Sequence, residues 1–418
     1  MNEIISTHVS YDPIFMQNGN MASLTNLSRK RYMQKKRILY HLYTRGQLSN
    51  PEICKLTNMS SPSIQKLLNE LIAESLVRDE GIGQSIGGRR PLMFGINPPA
   101  RFVVGINISH STTEIGVFDL TNQLVGKIHI FRRQLENTQG FVDALHQEVE
   151  RVLASANINN DQMLGIGIAI TGLTDPRLGL SYSHLNFSEK SVKTLFEEKF
   201  GKPVFTDNDA RLMALGEYVF GSAAGQENVL CVNIGSGIGM GMILNGKLYQ
   251  GHSGFAGEFG HIKIQEDGLL CICGKHGCLE TVASGDALTR MALAAVAAGK
   301  STILSSHSAE MSCNTIIDAA LQGDQLAIDL IGQIGAFLGK GLSTLIHLFN
   351  PETIILGGHM SRAQQFLLDP VHQTLNKYTI GQIQKATRLV TSTLGEKAAV
   401  MGALALVMEH VFEDLRVN

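Results

Sequence analysis

Cysteine is scarce in this 418-residue sequence and forms no pattern that would support a disulfide framework. Of the six cysteines, Cys54, Cys231 and Cys313 are scattered, and the other three lie between residues 271 and 278. This usage excludes a small secreted domain held together by disulfides and indicates a reducing compartment.

Targeting and membrane-spanning segments are also missing from the pattern. The first residues contain no basic segment followed by an apolar core, so we expect no secretory signal. The longest uncharged run, Asn228–Gly246, is interrupted by Gly235, Gly237, Gly239 and Gly241. It predicts two strands joined by a turn rather than a membrane span. We therefore expect a cytoplasmic protein with no membrane partner.

The remaining composition is that of a globular protein, with 44% hydrophobic and 17% charged residues. Its length allows two or three domains with sizeable cores. Charge is unevenly placed: residues 1–100 contain 12 Lys or Arg and 7 Asp or Glu, although the whole chain has a net charge of −2. A basic front end indicates a polyanionic partner, and a merely solvated basic helix over Arg29–Arg45 is the alternative.

The first hundred residues predict a flexible arm, residues 1–28, followed by a winged helix-turn-helix, residues 29–97. Periodicity and capping signals predict three helices, at Arg29–Thr44, Pro51–Thr57 and from Ser60 or Ser61 onward. The third helix has the predicted apolar face Ile64, Leu67, Leu68, Leu71 and Ile72. Two extended segments, Leu76–Glu80 and Leu92–Ile96, would form the wing.

The polar face of the third helix has the side chains that DNA recognition uses. Hydroxyls, amides and one ammonium suit base edges and phosphates, and here they are Ser61, Ser63, Gln65, Lys66 and Asn69. The wing tip contains glycines and then Arg89 and Arg90, which could reach a neighbouring minor groove. A protein-docking cap is the alternative, and the basic bias favours double-stranded DNA.

After Asn97-Pro98-Pro99, strand and helix patterns alternate, which predicts an α/β body. The predicted strands are Phe102–Ile108, Glu114–Asp119, Leu124–Phe131, Leu164–Thr171, Val204–Thr206, Val229–Ile234, Met240–Leu244 and 352–358. The predicted helices are Thr138–Ala156, Ala210–Phe220, Asp324–Leu348 and Ala398–Phe412. Two Gly-rich turns, Gly235–Gly239 and Gly357-Gly358, follow strands and could cradle a phosphate, although tight turns explain them equally.

Four metal-binding residue types lie within eighteen positions of one another. His261, Cys271, Cys273 and Cys278 offer an imidazole and three thiolates, a set that suits a closed tetrahedral zinc site. Four protein ligands leave no open position for water, so we interpret the metal as structural. A cluster of small buried cysteines is the alternative.

Polar residues near this motif and at one strand end predict a ligand site. Asn208 and Asp209 follow a strand and precede a helix, a position that commonly faces a ligand crevice in α/β folds. An amide and a carboxylate can bind hydroxyl groups, although Asp209 alone would explain a helix cap. Glu258 and Glu280 flank the metal motif and, with His261, would complete a site for a polyhydroxylated sugar; surface carboxylates and a core histidine are the alternatives.

From about Arg29 onward the sequence resembles the ROK family (repressors, open reading frames, kinases), in particular its branch of N-acetylglucosamine, xylose and Mlc-type transcriptional repressors. The motifs that carry the resemblance are Gly-Gly-Arg-Arg-Pro at 87–91, Asn-Asp-Ala at 208–210, Gly235–Gly239, Ala-Gly-Glu-Phe-Gly-His at 256–261, Cys-x-Cys-Gly-x-x-Gly-Cys-Leu-Glu at 271–280, Asn350-Pro351-Glu352 and Gly357-Gly358.

The resemblance implies an actin-like body with two lobes, residues 98–208 with 396–418 and residues 209–395. It implies zinc bound by the four motif residues. It also implies sugar contacts from Asn208, Asp209, Glu258, His261 and Glu280, with a further contact at Gly172. Thr171 replaces the proline usual before that glycine, which makes the backbone conformation there an open question.

One departure from the family separates kinases from repressors. ROK kinases begin their body with Asp-x-Gly-x-Thr, whose groups approach ATP phosphates and the metal. The aligned residues here are Asn107-Ile108-Ser109-His110-Ser111, without the carboxylate or the glycine. Because phosphoryl transfer depends on positioning and charge neutralisation, we expect no kinase activity. Asp209, the catalytic-base position of the family, would then hold a sugar hydroxyl.

The sequence therefore predicts a DNA-binding repressor of carbohydrate-utilisation genes that responds to a sugar or sugar phosphate. Its effector would shift an equilibrium between two lobe arrangements, in a homodimer or a dimer of dimers. An ATP-dependent sugar kinase with an accessory DNA-binding head is the alternative. Docking of a transport protein is a third possibility that no sequence feature specifies.

Overall fold

The computed structural model describes residues 25–83 and 90–415, apart from the side chains of residues 307–309. The helices are α1 Asn26–Arg45, α2 Asn50–Thr57, α3 Ser61–Ala73, α4 Gln139–Ser155, α5 Val192–Phe200, α6 Asp209–Phe220, α7 Glu280–Ala283, α8 Gly285–Ala297, α9 Cys313–Leu321, α10 Gln325–Phe349, α11 Gln365–Tyr378, α12 Gly381–Ala386 and α13 Ala398–Val411.

The strands are β1 Leu48–Ser49, β2 Val77–Ile82, β3 Leu92–Ile96, β4 Phe102–Ile108, β5 Thr112–Asp119, β6 His129–Arg132, β7 Met163–Ile170, β8 Thr174–Asp175, β9 Leu180–Ser181, β10 Val204–Asn208, β11 Val229–Ile234, β12 Ile238–Leu244, β13 Lys247–Leu248, β14 Thr353–Gly357 and β15 Arg388–Thr391. Short 3₁₀ helices occur at Pro98–Ala100, Asn160–Gln162, Phe259–His261, Ile303–Glu310, His359–Ala363, Gly395–Lys397 and Glu413–Leu415.

The chain divides into two compact units. The first contains the described residues up to Ile168, Leu185–Thr206 and those from Ala403 onward, and the second contains Ala169–His184 and Asp207–Gly402. This division assigns residues 169–184, 207–208 and 396–402 to the second unit, whereas the sequence interpretation assigned them to the first lobe.

The N-terminal head of the first unit is a winged helix-turn-helix of α1–α3 and the sheet β1-β3-β2. Ser49 and Glu52 cap α2, since the Ser49 backbone N–H donates to the Glu52 carboxylate at 2.7 Å. The predicted apolar face of α3 is buried except at Ile72, which is 38% exposed, so its assignment to the core was wrong. The 3.6-residue period places Ile72 at the edge of the buried stripe.

Two of the predictions for the head fall partly outside the described residues. α1 begins at Asn26, three residues before the predicted start, and the rest of the predicted arm lies outside the described residues. The wing-tip residue Arg89 also lies outside them, whereas Arg90 is described and exposed.

Within the first unit, α1 packs against the residues that follow α13. The ring of Tyr40 lies 5.5 Å from that of Phe412, edge to face, and the ring of Tyr43 lies 5.3 Å from the same phenylalanine. The buried Lys36 ammonium lies 3.1 Å from the Asp414 carboxylate. The head is therefore held to the body by aromatic packing and one ion pair.

The body of the first unit is built on a five-stranded sheet in the order β10-β7-β4-β5-β6. β4 and β5 form an antiparallel pair from Phe102↔Asp119 to Ile108↔Thr113. The predicted strand Leu124–Phe131 is wrong over most of its length: Leu124 makes one isolated bridge with Phe118, and the strand is His129–Arg132. Gly126, at φ +77°, interrupts it in the left-handed region.

The second unit is built on a five-stranded sheet in the order β13-β12-β11-β14-β15. β11 pairs antiparallel with β12 and parallel with β14, which places the strand ends before Gly235 and Gly358 side by side. One large apolar core lies between this sheet and α7–α11. The sequence analysis did not predict the helices α5, α7, α8, α9, α11 and α12 or the strands β1, β8, β9, β13 and β15.

Helix α10 has the length and apolar composition to cross a membrane, and among the described residues it is the one helix that does. Most of its apolar stretch is buried inside the second unit, where it packs along α11. Core packing therefore accounts for its composition. It ends at Asn350, which has left-handed backbone angles, followed by Pro351.

Candidate functional site

The amide of Asn208 begins the candidate site and has two functions. Its Oδ1 accepts the backbone N–H groups of Ala210 and Arg211, at 3.0 and 3.2 Å, so it caps α6. Its Nδ2 donates to the carbonyl of Gly172 at 3.0 Å. The cap is therefore Asn208 rather than Asp209, and one N–H of Asn208 is left for a ligand.

Gly172 has a backbone conformation that a glycine adopts easily. Its φ is +88°, and a Cβ at this position would lie 2.6 Å from the Cβ of Ser183. A larger residue would therefore be strained and would clash. The replacement of proline by Thr171 does not prevent this turn, which aims the Gly172 carbonyl at Asn208.

Asp209 occupies the first turn of α6 with a strongly altered acidity. Burial raises the pKa of this carboxyl to about 6, and the charge of Glu258 raises it further. Hydrogen bonds from backbone N–H groups and the charge of Arg211 lower it in part. Its Oδ2 lies 3.4 Å from Asn233 Nδ2, at the end of β11. A carboxyl of this kind is placed to accept a proton or a hydrogen bond from a hydroxyl group.

Glu258 and His261 lie at the two ends of a single 3₁₀ turn. The Glu258 carboxylate is 3.8 Å from His261 Nε2, and the two side chains are 40% and 31% exposed. Gly257 precedes the turn at φ +95°, and a Cβ there would lie 2.1 Å from the carbonyl of Met240. The turn is thereby held against β12 while both polar side chains stay accessible to a ligand.

Glu280 approaches the same region from the first turn of α7. Its Oε2 accepts the backbone N–H of Ile238 at 3.0 Å, and a Cβ at Gly237 would lie 2.4 Å from that oxygen. Burial raises the pKa of Glu258, and the charge of Glu280 raises it further. Glu280 Oε1 also lies 3.9 Å from Cys271 Sγ, which contacts His261, so Glu258 and Glu280 approach the same histidine from two sides. The charge of Glu258 also raises the pKa of Asp209, so the three carboxylates influence one another electrostatically within the second unit.

The Gly-rich turns have a structural explanation. The Gly235 N–H donates to the Gly237 carbonyl at 3.0 Å, and the Gly235 carbonyl accepts from Gly285 at 2.8 Å. A Cβ at Gly358 would lie 2.5 Å from the Ile234 carbonyl. Both turns are tight and packed against other backbone, which favours the tight-turn interpretation.

The four residues of the metal motif come together. One ligand atom from each of His261, Cys271, Cys273 and Cys278 lies within 4.8 Å of all the others. His261 Nδ1 is 3.5 Å from Cys271 Sγ, and Cys273 Sγ is 3.6 Å from Cys278 Sγ. Zn–S bonds of ~2.3 Å place two sulfurs of a tetrahedron ~3.8 Å apart, so the group could hold a metal ion of this size.

His261 links the metal group to the carboxylates. Its Nδ1 faces Cys271, and its Nε2 faces Glu258. In metal sites the second ring nitrogen of a ligating histidine commonly meets a carboxylate, which fixes the ring and its tautomer. A bound ion would therefore also fix the orientation of the Glu258–His261 pair.

Three residues of the site escaped sequence reasoning. Asp207 and Arg211 form a buried ion pair behind Asn208, and Asn233 contacts Asp209. The spacing of Asp207 and Arg211, four residues apart, was a weak sign of the pair. Asn233 gave no sequence signal, because its role depends on where β11 ends.

The altered phosphate motif lies in the first unit, at the hairpin between β4 and β5. Asn107 Nδ2 donates to the Glu114 carboxylate at 3.0 Å, and the Ser109 N–H donates to the Thr112 carbonyl at 2.9 Å. The hairpin therefore carries the acidic group of Glu114 beside the Asn107 amide.

The predicted DNA-contacting residues of α3 are exposed, and three of them are hydrogen-bonded to one another or to Asn50. Asn50 Nδ2 donates to Gln65 at 3.1 Å, and Gln65 Nε2 donates to Asn69 at 3.0 Å, while the Ser61 hydroxyl donates to Asn50. Lys66 is exposed beside them. These contacts hold polar side chains in one arrangement along the outer face of α3.

The basic helix α1 is less cationic than its sequence indicates. Carboxylates pair with three of the seven basic side chains between residues 29 and 45. These ion pairs are Arg31–Glu70, Lys35–Glu70, Lys35–Glu74 and Lys36–Asp414. Part of the basic charge thus ties α1 to α3 and to the C-terminal segment.

A winged helix-turn-helix joined to an actin-like α/β body defines the class of this protein. Residues 103–410 match the ROK family, and the chain belongs to that family. It is 30% identical over 388 residues to the xylose repressor of Bacillus spizizenii, which covers 92% of this chain and 97% of that protein.

Two solved structures are similar to this chain over different lengths. A crystal structure of a ROK family transcriptional regulator, a homolog of the E. coli MLC protein, is 27% identical with a TM-score of 0.76 and covers 92% of this chain and 98% of its own. A ROK family glucokinase from Streptomyces griseus, in complex with glucose and AMPPNP, is 31% identical with a TM-score of 0.65. It covers 74% of this chain and 99% of its own.

Proposed function

We propose that this protein is a sugar- or sugar-phosphate-responsive repressor that binds DNA upstream of carbohydrate-utilisation genes. The observation that carries the proposal is the presence, in one chain, of a winged helix-turn-helix and a cluster of three carboxylates beside an amide and a histidine. The similarity to a xylose repressor extends over nearly the whole chain and supports the same function. A DNA-binding role also implies a cytoplasmic protein.

The proposed DNA contacts are made by α3 and the wing. Four polar residues of α3, Ser61, Ser63, Gln65 and Asn69, would read base edges in the major groove, and Lys66 would contact a phosphate beside them. Arg90, with Arg89 beyond the described residues, would contact an adjoining groove or phosphates. Two heads in a homodimer would fit a palindromic operator.

Gel-shift titration on the upstream region of the protein's own gene tests this half of the proposal. Lys66→Ala should weaken binding, whereas Lys300→Ala, which removes the same charge from an exposed position in the second unit, should not. Equal effects of the two substitutions would contradict recognition through α3.

The proposed sugar contacts come from the second unit. Asn208 offers one N–H, and Asp209, Glu258 and Glu280 offer carboxylate oxygens, a set that suits several neighbouring hydroxyl groups. His261 Nε2 and the Gly172 segment would complete the site. The effector would act by binding more tightly to the state of low DNA affinity, because a ligand shifts an equilibrium only by its differential affinity.

Isothermal titration with D-xylose, D-glucose, N-acetyl-D-glucosamine and glucose 6-phosphate tests the sugar site. Asp209→Ala should abolish binding of the active sugar, whereas Glu266→Gln, a change at an 85% exposed carboxylate near the metal motif, should leave it intact. A bound sugar that is indifferent to Asp209→Ala would place the effector elsewhere.

We also propose that the metal is a structural zinc. The donor set of one imidazole and three thiols, with edges near those of a zinc tetrahedron, supports this choice. Metal analysis of the purified protein should find about one zinc per chain and none in Cys271→Ser. Cys54→Ser is the matched control, because Cys54 lies in α2, outside the cluster.

An active sugar kinase is the second candidate, and the raised pKa of Asp209 favours it, since a general base works best near its pKa. The Asn107–Glu114 contact weighs against it, because an acidic group at this hairpin would repel ATP phosphates. ATP turnover measured with the same sugars decides between the candidates. Phosphorylation that depends on Asp209 would establish the kinase.

A further inference from the structure

The ion pair of Asp207 and Arg211 is buried in the second unit. Asp207 is fully buried and Arg211 is 2% exposed, and Arg211 Nε donates to Asp207 Oδ1 at 2.6 Å. Burying two charges is costly, and such a pair contributes little net stability unless its remaining atoms are also bonded. The other partners of the pair therefore indicate what it does.

Arg211 connects to the segment that carries Gly172. Its Nη2 donates to the carbonyl of Thr174 at 3.1 Å and to the hydroxyl of Thr174 at 3.0 Å. Two residues earlier, the Gly172 carbonyl accepts from Asn208. The first residues of α6 thus hold this segment at two points.

Asp207 connects to two further segments. Its Oδ1 accepts the backbone N–H of Asn208 at 2.7 Å, and its Oδ2 accepts from Gln250 Nε2 at 3.1 Å. The Gln250 carbonyl accepts the N–H of Ala256 at 3.1 Å, which closes the turn that leads to Glu258. The Asp207 carboxylate thus bonds Arg211, the backbone of Asn208 and the side chain of Gln250.

We propose that Asp207 and Arg211 are positioning residues, which hold the segments of Gly172, Asn208 and Glu258 in register for the sugar. The inference rests on the proposed sugar site. A binding site is effective only when supporting groups hold its contact residues within about half an ångström of the required geometry. One buried pair that bonds all three segments provides such support.

The same helix provides a matched control at its other end. Glu217 is also fully buried, and its carboxylate accepts from the backbone N–H groups of Ser222 and Leu394, at 2.8 and 3.1 Å. It also accepts from the Ser392 hydroxyl. These partners lie away from the proposed sugar contacts, so Glu217 reports on the stability of α6 alone.

Each test substitution removes one hydrogen-bonding side chain that contacts the Asp207–Arg211 pair and leaves the pair itself in place. Thr174→Val and Gln250→Leu, in the full-length protein, should each raise the Kd for the sugar that binds the wild type by roughly ten- to hundredfold. Thr174→Ser keeps the hydroxyl and should restore binding. Glu217→Gln should lower the thermal unfolding temperature at least as much and leave the sugar Kd within about twofold.

The outcomes separate this inference from the proposed function. If the wild type binds sugar through Asp209 while Thr174→Val and Gln250→Leu change the Kd no more than Glu217→Gln does, the pair is merely structural and the inference is wrong. If the wild type binds none of the four sugars of the titration panel, the proposed function is wrong and the inference falls with it.

Discussion

The head and the candidate sugar site differ in the exposure of their polar groups, which in the sugar site are half-buried except at Glu258. On α3 the proposed DNA contacts are exposed, and the nearby charge is cationic and partly neutralised by carboxylates. In the second unit the polar groups are carboxylates that lie close together, and burial raises the pKa of Asp209 and Glu258. The comparison teaches that DNA binding should depend mainly on salt, and sugar binding on pH and on the metal.

Loss of the proposed zinc should have the largest effect, and this effect should be confined to the candidate sugar site. Cys278→Ser should abolish zinc binding and the sugar response, because His261 would lose the ion that fixes it beside Glu258. DNA affinity without sugar should stay within a few-fold of the wild type. Metal analysis, calorimetry and gel shifts on the same preparation measure the zinc content, the sugar affinity and the DNA affinity. A loss of DNA binding in Cys278→Ser would contradict the independence of the head from the sugar site.

Asp209→Asn should weaken sugar binding strongly while raising stability at neutral pH. A carboxyl whose folded pKa is raised from 3.8 to about 6 stabilises the fold most below its unfolded pKa, and this stabilisation is lost as the pH rises through about 6. The amide avoids that loss. Thermal unfolding at pH 4 and pH 8 should show a gain at pH 8 only, and a variant less stable than the wild type at pH 8 would contradict the burial of this charge.

The sugar affinity of the wild type should fall below pH 6. Protonation of Asp209 removes the acceptor of a sugar hydroxyl, so the Kd should rise by about tenfold per pH unit below 6 and stay constant above pH 7. Calorimetry between pH 5 and pH 8 measures this dependence. Asp209→Asn should abolish it, and a flat wild-type profile down to pH 5 would show that another group makes the contact.

On the head, Lys66→Ala should change the salt dependence more than the sequence preference. Loss of one phosphate contact reduces the slope of log affinity against log salt by about one. Binding should weaken to a similar degree on operator and unrelated DNA. Gel shifts at several salt concentrations measure the slope, and a loss confined to the operator would instead assign Lys66 to a base.

The smallest effect is expected where the head meets the C-terminal segment. Asp414→Asn removes the charge that faces Lys36, but the Asp414 side chain is 57% exposed. Asparagine keeps an acceptor oxygen for the buried Lys36 ammonium, so the free energy of unfolding should fall by only about 1 kcal/mol. Denaturant unfolding measures it, and Glu413→Gln, at the exposed carboxylate next to Asp414, serves as the control.

The predictions that succeeded from sequence share one property: their evidence is local. The capping signals and periodicity placed α2 and α3 within a residue or two. The proximity of His261, Cys271, Cys273 and Cys278 was predictable because they lie within eighteen residues, so the chain can bring them together with short turns. Even so, local pattern misplaced Ile72 and most of the strand Leu124–Phe131, where burial and a glycine turn decided the outcome.

Tertiary structure alone decided how the ligand site is held together. Asn208 is both the helix cap and the partner of Gly172, and Glu280 bonds to Ile238, contacts that join residues 36 and 42 positions apart. The pairing of Asp207 with Gln250 spans 43 positions. The sequence by itself determined which side chains could bind a metal, a sugar or DNA. It did not determine the hydrogen bonds that hold these side chains in place. Those bonds depend on which distant segments the sheet and α6 bring into contact, and residue types alone do not specify the course of the chain.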